Sequence, residues 1–202
     1  FNYQEMRQLE MALDQGNQPH LIEYFVGGHD WAPVNTMAKG LQWMHFQAME
    51  RGLVARSDTA YVNMVKKFRY QDEALQQKGT PFQRWLLRKK VLAYLPDSPD
   101  RTAIATEMQT MGEAEAVKKE LLRRKQEATR ELGMRQKYSE ALATEDIAYW
   151  KRVTSMLRKV GRNGRKEDAW LNLRVLNFLS LSCYMQAGQM LNANALDQAD
   201  RM

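Results

Sequence analysis

The chain has 202 residues, of which 44% are hydrophobic and 27% are charged, and this is enough apolar material for one sizeable core or two small ones. No run approaches the roughly 18 consecutive apolar residues that a membrane-spanning helix needs, and the first residues lack the pattern of a signal peptide. Cys183 is the only cysteine. An internal disulfide and a cysteine-based metal site are therefore excluded, and the apolar helical pattern around Cys183 indicates a buried, inert thiol.

The first two predicted elements are a helix and a strand. Residues 3–15 carry apolar side chains on one helical stripe and end at Gly16-Asn17, a common helix stop. Residues 20–26 form a short apolar run rich in β-branched and aromatic side chains. Such a run favours a strand that is buried on both faces.

A glycine pair follows the predicted strand. Gly27 and Gly28 allow the backbone to turn sharply, so we expect His29 on a tight loop beyond the carboxyl end of the strand, where open α/β sheets place their sites. A helix is predicted over residues 35–51, with one apolar face packed onto the sheet. That face consists of Met37, Leu41, Met44 and Ala48.

This order of elements resembles the carboxy-terminal part of an α/β-hydrolase, in the esterase branch whose last strand ends in Gly-Gly-His-x-Trp before a closing helix. The matching residues are Gly27, Gly28, His29 and Trp31. The resemblance covers about the first 50 residues and implies that His29 is a catalytic histidine. The alternative interpretation is an ordinary turn whose histidine makes a local hydrogen bond.

The partners of such a histidine are missing from the sequence. In α/β-hydrolases the triad follows the chain order Ser, acid, His, yet the 28 residues before His29 contain no serine. Asp14, on the polar side of the first predicted helix, is a poor substitute for the acid. Because an initiator methionine is also lacking, we expect the chain to be a piece of a longer protein. The nucleophile, the acid and any export signal would then precede Phe1, which leaves the compartment open, an extracytoplasmic one included.

From residue 57 onward every pattern is helical. Ser57 is a predicted N-cap, and Thr80 before Pro81 is a second and stronger helix start. Thr144 is predicted to cap a later helix. The last long pattern, residues 167–191, is apolar on more than one face, which is typical of a central helix.

These patterns predict a mainly α protein, either a helical bundle or an α-solenoid, with one N-terminal strand left from an α/β-hydrolase-like sheet. The predicted domains are 1–54, a hydrolase-like helix-strand-helix piece, and 57–202, an all-helical domain. The end of the chain resembles one imperfect tetratricopeptide hairpin. Its small and aromatic positions are Cys183, Tyr184, Ala187, Gly188, Ala195 and Ala199.

Thirty Lys and Arg against 24 Asp and Glu give a net charge of +6. Between residues 113 and 135 the charges alternate at i,i+4 spacing, which indicates a solvated helix face. The densest basic clusters, residues 88–90 and 162–166, are short and lack interleaved aromatic residues, so no nucleic-acid binding is predicted. The i,i+4 pairs are Glu115–Lys119, Glu120–Arg124 and Glu131–Arg135.

No metal or cofactor site is predicted. His20 and His45 have no partner at His-x3-His spacing. The 13 methionines and most tryptophans are interpreted as core residues, although a tryptophan left exposed on a concave face would be a candidate for peptide binding.

The sequence therefore favours a scaffold function, in which residues 57–202 bind or position a protein or peptide partner. Catalysis by this chain alone is not expected because it lacks a nucleophile and an acid. The alternative is a fragment of a serine esterase or peptidase with His29 as general base. An exposed strand edge at residues 20–26 also predicts a homodimer by strand pairing.

Overall fold

The computed structural model describes residues 3–25 and 31–192, and within these residues the protein is all-α, with eight helices and no strand. None of these helices combines the length and apolar character that crossing a bilayer requires. The helices are α1 (Tyr3–Gln15), α2 (Val34–Glu50), α3 (Asp58–Lys78), α4 (Pro81–Leu92), α5 (Pro99–Gly112), α6 (Glu115–Ala141), α7 (Ile147–Asn163) and α8 (Lys166–Asn192).

Capping residues explain where these helices begin. Thr80 opens α4 with a capping box: its hydroxyl accepts the N–H of Gln83 at 3.2 Å, and the Gln83 side chain accepts the N–H of Thr80 at 2.8 Å. The predicted cap at Thr144 is wrong by two residues. The Asp146 carboxylate accepts the N–H of Tyr149 at 2.8 Å, and aspartate is the stronger cap.

The strand predicted at 20–26 is wrong over residues 20–25, which form neither helix nor strand, while Val26 lies outside the described residues. Side-chain hydrogen bonds hold this segment in place, although backbone hydrogen bonds to a neighbouring strand were expected. The Tyr24 hydroxyl donates to Glu10 at 2.9 Å, and Glu23 accepts from Lys90 at 3.0 Å. Without a neighbouring strand the β propensity of these residues is not expressed. The predicted strand-paired homodimer thus has no strand to pair within residues 20–25.

The described residues form two compact units that divide inside α6, between Arg123 and Arg124. The core of the first unit combines side chains of α2, α3, α4 and α5. Its buried members are Phe46, Met49, Tyr61, Met64, Val65, Phe68, Val91, Tyr94, Leu95 and Ile104. The sequence-based division into 1–54 and 57–202 stays a prediction.

The core of the second unit lies between the end of α6, α7 and α8. Leu157 of α7 and Leu171 and Val175 of α8 are completely buried there. A Cβ atom at Gly161 would lie 2.9 Å from Leu173 Cδ2, so glycine at this position allows α7 to approach α8 closely. Because a short turn joins α7 to α8, the pair forms a helical hairpin.

A buried arginine joins three helices of the first unit. Arg88 is 4% exposed and donates to Asp72 at 3.0 Å and to Glu107 at 2.9 Å. Arg84 also donates to Asp72, at 2.8 Å. Burial alone would raise the pKa of Asp72, but the hydrogen bonds from Arg84 and Arg88 outweigh it and lower the pKa to about 2.

The second unit contains a comparable network, centred on a carboxylate. Glu131 is completely buried and accepts from Arg135 at 2.8 Å and from Arg174 at 2.7 Å. Arg174 also donates to Glu127 at 2.8 Å. The predicted Glu131–Arg135 pair is thus confirmed, but its assignment to a solvated face is wrong, because Arg174 of α8 brings this part of α6 into the interior.

Candidate anion-binding surface

One face of α7 collects basic side chains. The helix contains five Lys and Arg and no Asp or Glu. Val153 and Leu157 are buried against α6 and α8, which fixes the opposite face toward solvent. All five basic side chains are exposed. They are Lys151, Arg152, Arg158, Lys159 and Arg162, and we call them the α7 cations.

Their spacing produces a straight polar ridge. Lys151, Ser155, Arg158 and Arg162 follow one another at intervals of four, three and four residues, which places them on one side of the helix. The ridge extends about 16 Å at a rise of 1.5 Å per residue. A shallow depression of about 510 Å³ lies along it. The described residues that line it are Lys151, Thr154, Ser155, Arg158, Lys159, Arg162 and Asn163.

The α7 cations differ from the other basic clusters in their pairing. In the described part of the chain none of them forms an ion pair, whereas every member of the cluster at 88–90 does. Arg88 binds Asp72 and Glu107, Lys89 binds Glu10 at 2.9 Å, and Lys90 binds Glu23 at 3.0 Å. The dense cluster is therefore neutralised inside its own unit, while the helical ridge keeps its charge.

The distribution of charge along the chain agrees with this contrast. Residues 1–123 contain 16 Lys and Arg against 15 Asp and Glu, and residues 124–202 contain 14 against nine. Five of the six net positive charges thus belong to the second part of the chain. Unpaired cations on one helix face attract anionic groups, and guanidinium groups bind carboxylates or phosphates with two parallel hydrogen bonds.

The catalytic residue suggested by the sequence belongs to the Gly-Gly-His-x-Trp motif. His29, Gly27 and Gly28 lie outside the described residues. Trp31, the last residue of the motif, is 90% exposed. The assignment of His29 as a general base stays a prediction.

The structure brings together three side chains that sequence spacing did not connect. Ligand atoms of Glu10, Asp14 and His20 lie within 4.8 Å of one another. The Lys89 ammonium donates to Glu10 and to Asp14, each at 2.9 Å. Burial alone would lower the pKa of Lys89, but these hydrogen bonds raise it. A fixed ammonium group thus balances the carboxylates, and we interpret the cluster as an ion-paired structural contact.

Four of the five α7 cations lie outside the dense basic clusters of the sequence, and Arg162 was assigned only to the cluster at 162–166. Lys151, Arg158 and Arg162 are separated by seven and four residues, so they do not form a run. Counting charges along the predicted helix, which lacks any carboxylate over 17 residues, would have identified the ridge.

No protein family, curated protein or solved structure matches the chain.

Proposed function

We propose that this chain is a non-catalytic helical binding module, and that the α7 cations bind an acidic segment of a protein partner. The observation that carries the proposal is a helix with five exposed basic side chains, no carboxylate and no ion pair within the described residues. The cluster at 88–90 differs, because each of its side chains is already paired with a carboxylate of its own unit.

An acidic protein segment fits this face better than other anionic partners. Single-stranded nucleic acids are bound by basic grooves with aromatic platforms, but Tyr149 and Trp150 are partly buried and stack edge-to-face with each other. An anionic membrane is bound by helices that insert an apolar face, and that face of α7 is occupied by Val153 and Leu157 in the core. Exposed guanidinium groups without stacking partners suit carboxylates.

The proposal also concerns the arrangement of the helices, as a tetratricopeptide-like solenoid or as a helical bundle. A tetratricopeptide-like solenoid would present α7 and α8 as one of several stacked hairpins. The hairpin itself supports this interpretation. The position of Gly188 does not, because a Cβ there would meet nothing within 4 Å among the described residues, whereas a repeat uses small residues where helices touch. A helical bundle is therefore the arrangement we favour.

The test is a binding titration of the whole chain with a fluorescent poly-glutamate peptide, followed by fluorescence anisotropy. The variant Lys151→Gln, Arg158→Gln, Arg162→Gln removes three charges from the ridge. At roughly 0.5 kcal/mol for each exposed contact, we expect about tenfold weaker binding. Binding of the unmodified chain should also weaken when the salt concentration rises from about 50 to about 200 mM.

The matched control changes the net charge equally but elsewhere. Lys66, Lys67 and Lys78 are exposed on α3 and form no ion pair within the described residues, so their triple Gln variant should bind within about twofold of the unmodified chain. If both triple variants weakened peptide binding equally, net charge alone would explain the effect, and the proposal would be overturned. Tighter, ridge-dependent binding of single-stranded DNA of equal charge would overturn the choice of partner.

A further inference from the structure

The exposed surface of α2 is apolar. Val34, Met37, Leu41 and Met44 are 78%, 41%, 66% and 60% exposed, respectively. We call these four side chains the α2 stripe. From sequence, this face was expected to pack onto a sheet, and that expectation is wrong in the described residues, which contain no sheet.

The opposite face of α2 is already used, so the stripe cannot turn inward. Phe46 and Met49 are buried in the core of the first unit, and Phe46 stacks edge-to-face on Tyr61 and Tyr94. The Trp43 indole N–H donates to the carbonyl of Ala93 at 3.0 Å. A helix that is apolar on both sides is normally covered on both sides.

The part of the chain that contains α2 is also rich in exposed apolar side chains. Of the 23 large hydrophobic side chains that are exposed among the described residues, 12 lie in the first 54 positions of the chain. They include Trp31, at the amino-terminal side of α2. Contiguous apolar surfaces of several hundred Å² mark interaction sites on most proteins. The exposure of the stripe is therefore typical of an interaction surface.

We infer that the partner of this surface is a second copy of the same chain, bound through an antiparallel pair of α2 helices. The stripe has spacings of three, four and three residues, which are symmetric about position 39. A two-fold axis at that level places Val34 against the Met44 of the other copy and Met37 against its Leu41. A symmetric contact needs this self-complementary arrangement, in which each side of the surface fits the other.

Charge permits this pairing. Between residues 34 and 49 the only Lys, Arg, Asp or Glu is Lys39, which lies off the stripe and donates to Glu23 at 3.3 Å. Two copies can therefore meet without apposed like charges. A Cβ at Gly40, beside the axis, would meet nothing within 4 Å among the described residues, so the backbone is open to close approach.

The area suits a dimer of moderate affinity. Two stripes with their Trp31 side chains would bury on the order of 1,000 Å² in total, near the lower end for specific interfaces. We therefore expect a dissociation constant in the micromolar range.

Sedimentation equilibrium of the whole chain tests the inference. The mass should rise from 23.6 kDa toward twice that value as the concentration passes through the micromolar range, and it should do so equally at low and high salt. Leu41→Glu places two carboxylates near the axis and should keep the chain at 23.6 kDa. Leu122→Glu changes another exposed leucine, on α6, and should dimerise like the unmodified chain.

A second measurement tests the geometry without disturbing the charge. In a Cys183→Ser background, a mixture of Met37→Cys and Leu41→Cys chains should form a mixed disulfide faster than either chain pairs with itself. A monomer at all concentrations up to about 100 µM, a Leu41→Glu chain that dimerises normally, or random disulfide pairing would each overturn the inference. Because this association is insensitive to salt, its failure is distinguishable from a failure of the α7 cations to bind acidic segments.

Discussion

The two units resemble each other inside and differ outside. Each contains an arginine between two carboxylates: the buried Arg88 with Asp72 and Glu107, and the partly buried Arg174 with Glu127 and Glu131. On the surface, the first unit pairs its dense basic cluster and exposes an apolar stripe on α2, whereas the second leaves the α7 cations without a partner in the described residues. The density of basic residues along the sequence therefore does not indicate which of them are already paired.

The sharpest way to test the resemblance of the interiors is to neutralise Glu131. The Glu131→Gln variant leaves the buried guanidinium group of Arg135 and the partly buried one of Arg174 without their shared carboxylate, so the free energy of unfolding of this unit should fall by about 3–5 kcal/mol. Hydrogen exchange of the amides in α7 and α8 measures this loss. Glu127→Gln is the matched control, and it should cost less than half as much, because the Glu127 side chain is 18% exposed. Equal losses would show that Glu131 is not the centre of the network.

In the first unit, the network around Arg88 predicts that stability depends on pH. The pKa of Asp72 falls from 3.8 to about 2 on folding, so its stabilising contribution is complete above pH 4 and is lost as the pH falls toward 2. This shift is worth about 2 kcal/mol. Asp72→Asn should therefore destabilise α3 and α4 by about that amount at pH 7 and by much less at pH 2, measured by denaturant unfolding. A difference between the two proteins that is constant over this pH range would contradict the assignment.

A smaller effect provides a reference that involves no charge. Thr80→Ala removes the hydroxyl of the capping box at the start of α4 and should lower the free energy of unfolding by about 1 kcal/mol. Thr59→Ala, at an exposed position of α3, should change it by less than about 0.5 kcal/mol. Chemical denaturation of both variants at neutral pH gives the comparison. If the loss at Thr80 equalled that of Glu131→Gln, buried charge would not be the distinguishing feature of these interiors.

Helix positions followed closely from the sequence. The predicted helix at 3–15 agrees with α1, and the starts near Ser57 and Pro81 are confirmed, because caps and proline act over a few residues. The element at 20–25 was wrong because its strand character depended on a neighbouring strand that these residues do not have. The surface formed by the α7 cations was missed for a related reason. Whether Lys151 or Lys89 meets a carboxylate depends on residues far away in the chain, and sequence spacing within one helix does not contain that information.

The buried networks also determine how the protein responds to heat. Hydration of charged groups becomes less favourable as the temperature rises, so the cost of keeping Arg88 and Glu131 away from water falls on warming. The contribution of apolar burial reaches a plateau over the same range. A protein interior that contains buried ion pairs beside aliphatic side chains therefore keeps a larger share of its stability at high temperature. The comparison is with a purely aliphatic interior that is equally stable at room temperature.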